Sequence, residues 1–254
     1  MSSPAQRFSA TAAGYAATMA PSVRIMALEV VRRAQLRPGE RILDIGTGTG
    51  TAAAAARGEG RLVTAIDGAV GMLEIARREV SGVTFAEMDF AALDFADESF
   101  DAVIACHALN FATDQADALR EWSRVTRAGG RLSLSVPGPL EAGPRALYAE
   151  IYARYGVGGS PRYSTADSLR AMALDAGWSE VAVEADPTTA IRLADDASFR
   201  RWREIGTRGA IASGLTAAQD RGLTDEMLAV TPRDASGALS IPFGTLYLVA
   251  RRAN

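Results

Sequence analysis

The chain has 254 residues, a formal net charge of −3 and 48% hydrophobic residues, enough apolar material for one α/β domain with a buried core. Arginine supplies all 27 basic residues because the sequence contains no lysine, which excludes Schiff-base catalysis and a P-loop lysine. The negative charge and the lack of a basic run argue against a nucleic-acid partner. One cysteine and one histidine are too few for a disulfide framework or a Cys/His zinc site. A carboxylate-only metal site stays open but nothing in the sequence supports it, so we expect no metal.

The N-terminal stretch lacks the apolar core of a signal peptide, and no segment reaches the apolar length of a membrane span. These features predict a cytoplasmic protein without membrane attachment. The sequence gives no indication of oligomeric state.

Two helical segments open the chain, at about residues 4–19 and 21–35. Short β-branched runs then alternate with stretches rich in alanine and arginine. This alternation of strand and helix segments predicts a parallel sheet with helices on both faces. The strand candidates are residues 41–45, 61–66, 83–88, 100–105, 131–136 and 180–184, and a last strand at 240–251.

Two helix starts and two insertions complete the prediction of a single domain over residues 1–254. Asp114 has the position of an N-cap, and Ser164 with Asp167 has capping-box spacing. Residues 137–161 and a helical insertion at 187–239 interrupt the alternation. Together with an N-terminal helical cap, residues 1–36, these insertions would cover a ligand crevice as a lid. They carry six aromatic residues that could form its roof, although most such residues at helical spacing are simply core: Tyr15, Tyr148, Tyr152, Tyr155, Phe199 and Trp202.

The segment RILDIGTGTG runs from a hydrophobic strand straight into glycines at alternate positions, Gly46, Gly48 and Gly50. Glycines there let the backbone turn sharply and approach a ligand at the switch point of a doubly wound sheet. A turn that only links a strand to a helix could have the same glycine-rich sequence. The segment therefore predicts a ligand site only together with other residues.

Two acids after the second and third strands add to this pattern. Asp67 could accept hydrogen bonds from ribose hydroxyls, although it could also cap the helix from Ala69 onward. Asp89, between Met88 and Phe90, could accept from an adenine amine, although a solvated turn aspartate is the plain alternative.

These features resemble the class I S-adenosylmethionine (SAM) dependent methyltransferases. The matching parts are the acid-x-Gly-x-Gly-x-Gly loop at residues 44–50, Asp67, the pair at 88–89, the fourth-strand stretch SFDAVIACHALNF and the turn RVTRAGGRLSLSVP. Arg127-Ala128 departs from the usual Lys-Pro of that turn. The resemblance implies a Rossmann-like seven-stranded sheet, mostly parallel with an antiparallel last strand, and SAM as cofactor, with S-adenosylhomocysteine as product. It implies these cofactor-binding residues: Tyr15, Asp44, Gly46, Thr47, Gly48, Gly50, Asp67, Gly68, Met72, Met88, Asp89, Phe90, Cys106 and His107.

Three other functions stay open. A nicotinamide-dependent Rossmann oxidoreductase is one, because Gly48, Gly50 and Ala53 satisfy GxGxxG/A. The register argues against it, since an acid at Asp44 is unexpected beside a pyrophosphate but suits a cationic sulfonium and ammonium. The others are an enzyme of this fold that catalyses a rearrangement or elimination, and a SAM-binding partner without activity.

The methyl group should lie beside residues 106–111, just after the fourth strand. His107, the only histidine, could remove a proton from the acceptor, or it could only orient SAM or fill the wall. The Asn/Asp-Pro-Pro-Tyr/Phe motif of amine-directed relatives is missing here. We therefore expect methyl transfer to an oxygen, carbon or nitrogen of a small, partly apolar acceptor in a biosynthetic reaction.

Overall fold

The computed structural model describes residues 3–138, 144–157, 164–205 and 214–253. The helices are α1 (Pro4–Ala10), α2 (Ala12–Thr18), α3 (Ala20–Arg33), α4 (Thr51–Ala56), α5 (Val70–Glu79), a 3₁₀ turn (Leu109–Phe111), α6 (Gln115–Val125), α7 (Pro144–Arg154), α8 (Ala166–Asp175), α9 (Asp196–Glu204) and α10 (Ala217–Val230). The strands are β1 (Arg41–Ile45), β2 (Leu62–Asp67), β3 (Thr84–Glu87), β4 (Phe100–Cys106), β5 (Thr126–Pro137), β6 (Trp178–Asp186), β7 (Ala190–Leu193), β8 (Leu239–Pro242) and β9 (Thr245–Arg252).

Seven strands form one sheet in the order β3-β2-β1-β4-β5-β9-β6. The first five are parallel, and β9 runs antiparallel to both β5 and β6. This confirms the predicted fold class. The strand order reverses between β1 and β4, so a crevice opens beyond their carboxyl ends, where the glycine loop and residues 106–111 lie.

Helices cover both faces of the sheet. On one face α6 and α8 bury Trp122 and Trp178, each at most 2% exposed. On the other face, Ala27 and Val30 of α3 pack with the alanines of α4 against β1 and β4. Parallel strands buried on both sides require continuous apolar runs, which explains the composition of β1 and β4.

The predicted N-terminal cap divides into two parts. α3 belongs to the sheet sandwich, because the Ser133 hydroxyl donates to the Val30 carbonyl at 2.7 Å and Arg131 donates to the Ala34 carbonyl at 2.9 Å. α1 and α2 instead lie against α5 and α3. No helix in the described ranges is long and apolar enough to cross a bilayer.

A separate apolar cluster joins α3 to α7, α9, α10 and a two-stranded sheet of β7 and β8. The prediction of an aromatic roof is wrong for Tyr148, Phe199 and Trp202, which are buried in this cluster because they hold its helices together. Tyr152 and Tyr155 are partly buried against the same cluster, and the Tyr155 hydroxyl donates to Glu226 at 2.8 Å.

Several predicted boundaries also need correction. The first helix is interrupted at Thr11, and the predicted last strand is two strands separated at Phe243–Gly244. The first of these strands, β8, pairs with β7, so the insertion at 187–239 is not wholly helical. The capping box of α8 is formed by Thr165 and Ser168, one residue beyond the predicted pair. Asp114 is confirmed as an N-cap, since its side chain accepts from the Asp117 N–H.

Candidate active site

The glycine loop between β1 and α4 needs its glycines for different reasons. Gly46 has a φ of +66°, and a Cβ there would lie 2.4 Å from the Ala108 Cβ, so the loop and the turn after β4 touch through it. Gly48 has a φ of +55° with open space beside it. Gly50, at φ +86°, is the N-cap of α4 and packs near Val80 and Ala76. The absence of a side chain at Gly46 therefore lets the loop contact the turn after β4, and the absence of one at Gly48 leaves open space beside the loop.

Asp44 is the most buried acid of the site, with 0% exposure. Its Oδ2 accepts a hydrogen bond from the Thr47 hydroxyl at 2.6 Å. Its Oδ1 is buried and accepts no hydrogen bond of normal geometry from the described residues. Burial raises the pKa of the Asp44 carboxyl to about 7, the Thr47 hydroxyl and the backbone N–H of Ala53 oppose the shift, and the nearby carboxylate of Asp67 adds to it. The site thus presents a buried carboxylate without a cationic partner among the described residues, which suits a bound cation.

Asp67 connects the glycine loop to α5. Its two carboxylate oxygens accept from the Gly48 N–H and the Ala69 N–H, both at 2.8 Å. Burial raises the pKa of Asp67, while hydrogen bonds from the backbone of Ala69, Gly48 and Gly68 oppose that shift. A carboxylate has about four acceptor positions, so with three backbone donors Asp67 can hold the loop and still accept from a ligand hydroxyl.

Six of the predicted residues line one cavity with the start of α4 and with α3: Tyr15, Asp44, Gly46, Thr47, Gly48 and Cys106. Burial raises the pKa of the Cys106 thiol to about 12, so this group is a neutral wall residue at neutral pH. The remaining lining residues, which the sequence did not single out, are Val23, Ala27, Thr49, Thr51 and Ala52.

α1 lies directly over the start of α5. The Gly71 N–H donates to the Ser9 hydroxyl oxygen at 2.9 Å, and a Cβ at Gly71 would lie 2.5 Å from the Ser9 carbonyl oxygen. Met72 is buried beneath this contact with Ala12 and Ala69. A Cβ at Gly68 would approach the Ala5 Cβ to 3.3 Å. The contact between Ser9 and Gly71 has no signature in the sequence, because it joins segments 62 residues apart.

The aromatic ring of Phe8 extends this cover. It meets the rings of Tyr15 and Phe111 edge-on, with centroids 6.3 Å and 5.1 Å away. The N-terminal helices therefore reach both the cavity that Tyr15 lines and the turn that follows β4.

The third predicted group, residues 88–90, does not line this cavity among the described residues. Asp89 is exposed, and its Oδ1 accepts from the Ala91 N–H at 2.9 Å, which is the turn arrangement of the plain alternative. The Phe90 carbonyl accepts from the Trp122 indole at 2.8 Å, and the Met88 sulfur accepts from the Asp94 N–H at 3.4 Å. These residues follow β3, two strands away from β1.

His107 follows Cys106 at the end of β4 with a φ of +52°, a left-handed conformation that is rare for a non-glycine residue. The Ser135 carbonyl accepts from its backbone N–H at 3.0 Å. Its ring lies edge-on to Phe243 at 5.0 Å, and Nε2 is 3.0 Å from the Met26 sulfur. Neither Phe243 nor Met26 was predicted, because both lie far from the motif in sequence.

Asn110, in the 3₁₀ turn after His107, is a further residue that sequence reasoning missed. Its Oδ1 is buried and has no hydrogen-bond partner among the described residues. It is close in sequence to His107, but only the burial of its side chain makes it noticeable.

Comparison with known proteins identifies the family of this chain. Residues 43–134, from β1 into β5, match a family model described as a methyltransferase domain. The chain is 34% identical to a demethylmenaquinone methyltransferase of Renibacterium salmoninarum over 57% of this chain and 68% of that protein. The chain belongs to the class I SAM-dependent methyltransferases.

Related sequences and solved structures extend the likeness beyond the matched segment. A demethylmenaquinone methyltransferase of Mycolicibacterium vanbaalenii is 31% identical over 77% of both chains. A chain from the solved complex between the Haloferax volcanii Trm112 methyltransferase activator and a methyltransferase superposes with a TM-score of 0.64, covers 98% of this chain and 99% of its own, and is 23% identical. The methyltransferase therefore uses SAM to methylate a small acceptor, and the nicotinamide alternative is not supported.

Proposed function

We propose that the acceptor is a partly apolar molecule with an acidic hydroxyl group, of the phenol or hydroquinone class, and that His107 takes up its proton. The observation that carries the proposal is the position of His107. Its neighbour Cys106 lines the cavity that holds Asp44, whereas its ring contacts the apolar side chains of Met26 and Phe243. A base at the boundary between a polar cofactor cavity and an apolar wall suits such an acceptor. The relatives named after demethylmenaquinone support the same class.

The cofactor would be divided among three groups of residues. Asp44 and the loop glycines would hold the methionyl part, since the buried carboxylate of Asp44 suits an ammonium group. Asp67, with Gly68 and Met72, would lie at the ribose. Residues 88–90 would lie at the adenine. The full proposed set is Tyr15, Asp44, Gly46, Thr47, Gly48, Gly50, Asp67, Gly68, Met72, Met88, Asp89, Phe90, Cys106 and His107.

When bound, the cofactor would supply an electrophilic methyl group and would leave as the neutral thioether S-adenosylhomocysteine. His107 accepts the hydroxyl proton, which raises the electron density of the acceptor at the attacking oxygen or ring carbon. If carbon is methylated, the ring later loses the proton of that carbon. Most of the acceleration would come from holding the reactants at attack distance, worth up to about 7–11 kcal/mol.

The acceptor would be chosen by what covers the crevice: α1, α2 and the insertions at 137–161 and 187–239. Part of both insertions lies outside the described residues. The formal charge of −3 and the lack of a basic run favour a small molecule over a nucleic acid. We also propose that the protein works in the cytoplasm and binds no metal. The described ranges contain no group of three or more acidic, histidine or cysteine side chains that could hold a metal.

The test is methyl transfer from SAM to short-chain hydroquinones by the parent protein and by His107→Gln. Turnover in His107→Gln should fall by roughly 10²–10⁴ while the affinity for S-adenosylhomocysteine, measured by calorimetry, stays within a few fold. Equal loss of binding and turnover would make His107 a cofactor-positioning residue. Turnover on nucleic acid but on no small hydroxyl compound would contradict the acceptor class.

A further inference from the structure

The backbone fixes where the His107 ring lies. The residue has a φ of +52°, and its N–H is held between the carbonyl oxygen and the hydroxyl oxygen of Ser135, at 3.0 Å and 3.2 Å. Next to it, Ala108 packs against the position of the missing Cβ of Gly46. A left-handed histidine costs conformational energy, and such strain persists only where the surroundings enforce it. The strand β5 and the glycine loop together enforce it here.

The ring then meets a sulfur atom. Nε2 lies 3.0 Å from the Sδ of Met26, a residue of α3 that is 1% exposed. The hydroxyl of Thr245, at the start of β9, lies 3.4 Å from the same sulfur as a donor. Met26 is thus held between the ring and a strand of the sheet, and its position does not depend on the cap helices alone.

A thioether sulfur carries lone pairs and no hydrogen, so it can only accept. If Nε2 were the unprotonated nitrogen, two lone pairs would face each other at 3.0 Å, which is repulsive. The contact is favourable only when Nε2 carries the hydrogen. In a neutral imidazole the other nitrogen, Nδ1, is then the basic one.

We propose that Met26 is a positioning residue whose sulfur accepts the Nε2–H of His107, fixes this tautomer and leaves Nδ1 as the nitrogen that receives the acceptor proton. The tautomer follows from the contact alone, whereas the proton transfer rests on the proposed function. Because α3 belongs to the sheet sandwich, the tautomer is set by the rigid part of the domain and not by the cover of the crevice.

The chain contains one histidine, so nitrogen-15 NMR of the uniformly labelled full-length protein shows a single imidazole. At a pH where the ring is neutral, we expect the Nε2–H tautomer, with an Nε2–H that exchanges slowly with water. Met26→Leu keeps the volume but removes the acceptor, and its Nε2–H should exchange at least about tenfold faster. Turnover on a hydroquinone should fall about tenfold or more without a change in S-adenosylhomocysteine affinity.

Two further variants serve as controls. Met26→Gln offers an amide oxygen at similar reach and should restore the slow exchange at least in part. Met227→Leu removes a methionine with 0% exposure from the same apolar cluster and should leave the spectrum and turnover as in the parent. An Nδ1–H tautomer in the parent, or an unchanged spectrum in Met26→Leu, would overturn the inference. The expected spectra together with full turnover in His107→Gln would instead overturn the proposed base and leave the tautomer assignment standing.

Discussion

Asp44 places a carboxyl group in the interior without a compensating positive charge among the described residues. Its pKa is raised from 3.8 to about 7, so between these values the folded state holds a proton that the unfolded state has lost. Ionising Asp44 therefore costs stability. The cost is absent below about pH 4, grows as the pH rises to 7 and then stays constant at about 4 kcal/mol. A bound ammonium would remove much of it, because the cation favours the ionised form.

The upward direction of the Asp44 pKa shift gives a prediction for how cofactor binding depends on pH. Below pH 7 the cofactor must displace a proton from Asp44, so S-adenosylhomocysteine should bind about tenfold more tightly at pH 8 than at pH 6. Calorimetry at several pH values checks this. Asp44→Asn should bind more weakly and lose the pH dependence, whereas Asp89→Asn, which removes an exposed acid, should keep it. An Asp44→Asn protein with the parent's slope would show that another group carries the proton.

At the scale of the element, the loop between β1 and α4 requires glycine for two reasons, backbone conformation and lack of space for a side chain. Gly46 and Gly48 both have positive φ, so alanine at either position should cost about 1–2 kcal/mol from backbone conformation alone. Only at Gly46 would the new Cβ also meet another side chain, at 2.4 Å from the Ala108 Cβ. Overpacking of that kind adds about 1–3 kcal/mol.

We therefore predict that the two alanine substitutions mainly affect different properties, the stability at Gly46 and cofactor binding at Gly48. Gly46→Ala should lose at least twice as much unfolding free energy as Gly48→Ala in urea titrations. Gly48→Ala should lose only the unfolding free energy that its backbone conformation costs. It should bind S-adenosylhomocysteine at least about tenfold more weakly, because its Cβ enters the cavity. Equal destabilisation by the two substitutions would contradict the contact between the loop and the turn after β4.

At the scale of the whole molecule, the domain combines a rigid sheet with a cover of short helices. The sheet buries its strands on both faces, whereas α1 is only seven residues long, has no buried residue and is held over α5 largely through Ser9 and Phe8. Local opening should therefore concentrate in α1 and α2, the segments that a ligand must pass or displace.

Hydrogen exchange with and without S-adenosylhomocysteine tests this division. Amides of residues 5–18 should gain protection on binding, while those of β5 should change little. Gly71→Ala should abolish the gain, because its Cβ would lie 2.5 Å from the Ser9 carbonyl oxygen and displace α1. Gly14→Ala is the matched control, since the nearest atom there is 3.9 Å away. Slow and identical exchange of residues 5–18 in both states would mean that α1 and α2 are not a moving cover.

The sequence alone indicated the sheet and the cofactor loop, because both depend on local patterns. Alternating apolar runs and helices gave the strand sequence, and an acid followed by spaced glycines gave the position of the loop. Errors occurred where local patterns have two solutions. Residues 240–251 read as one strand but bend at Gly244 to serve two sheets, and Phe199 and Trp202 read as a roof but pack inside a cluster.

The tertiary structure decided everything that depends on contacts between distant segments. Asp44 could be placed beside a cation from its motif, but its raised pKa arises from burial under α3 and α4. The setting of His107 likewise comes from Met26, 81 residues earlier, and from Ser135 on the neighbouring strand. Hydrogen bonds and burial act over a few ångströms in space, and a sequence pattern records only separations along the chain. The sequence therefore determined which chemical groups the methyltransferase has, and folding determined their protonation and orientation.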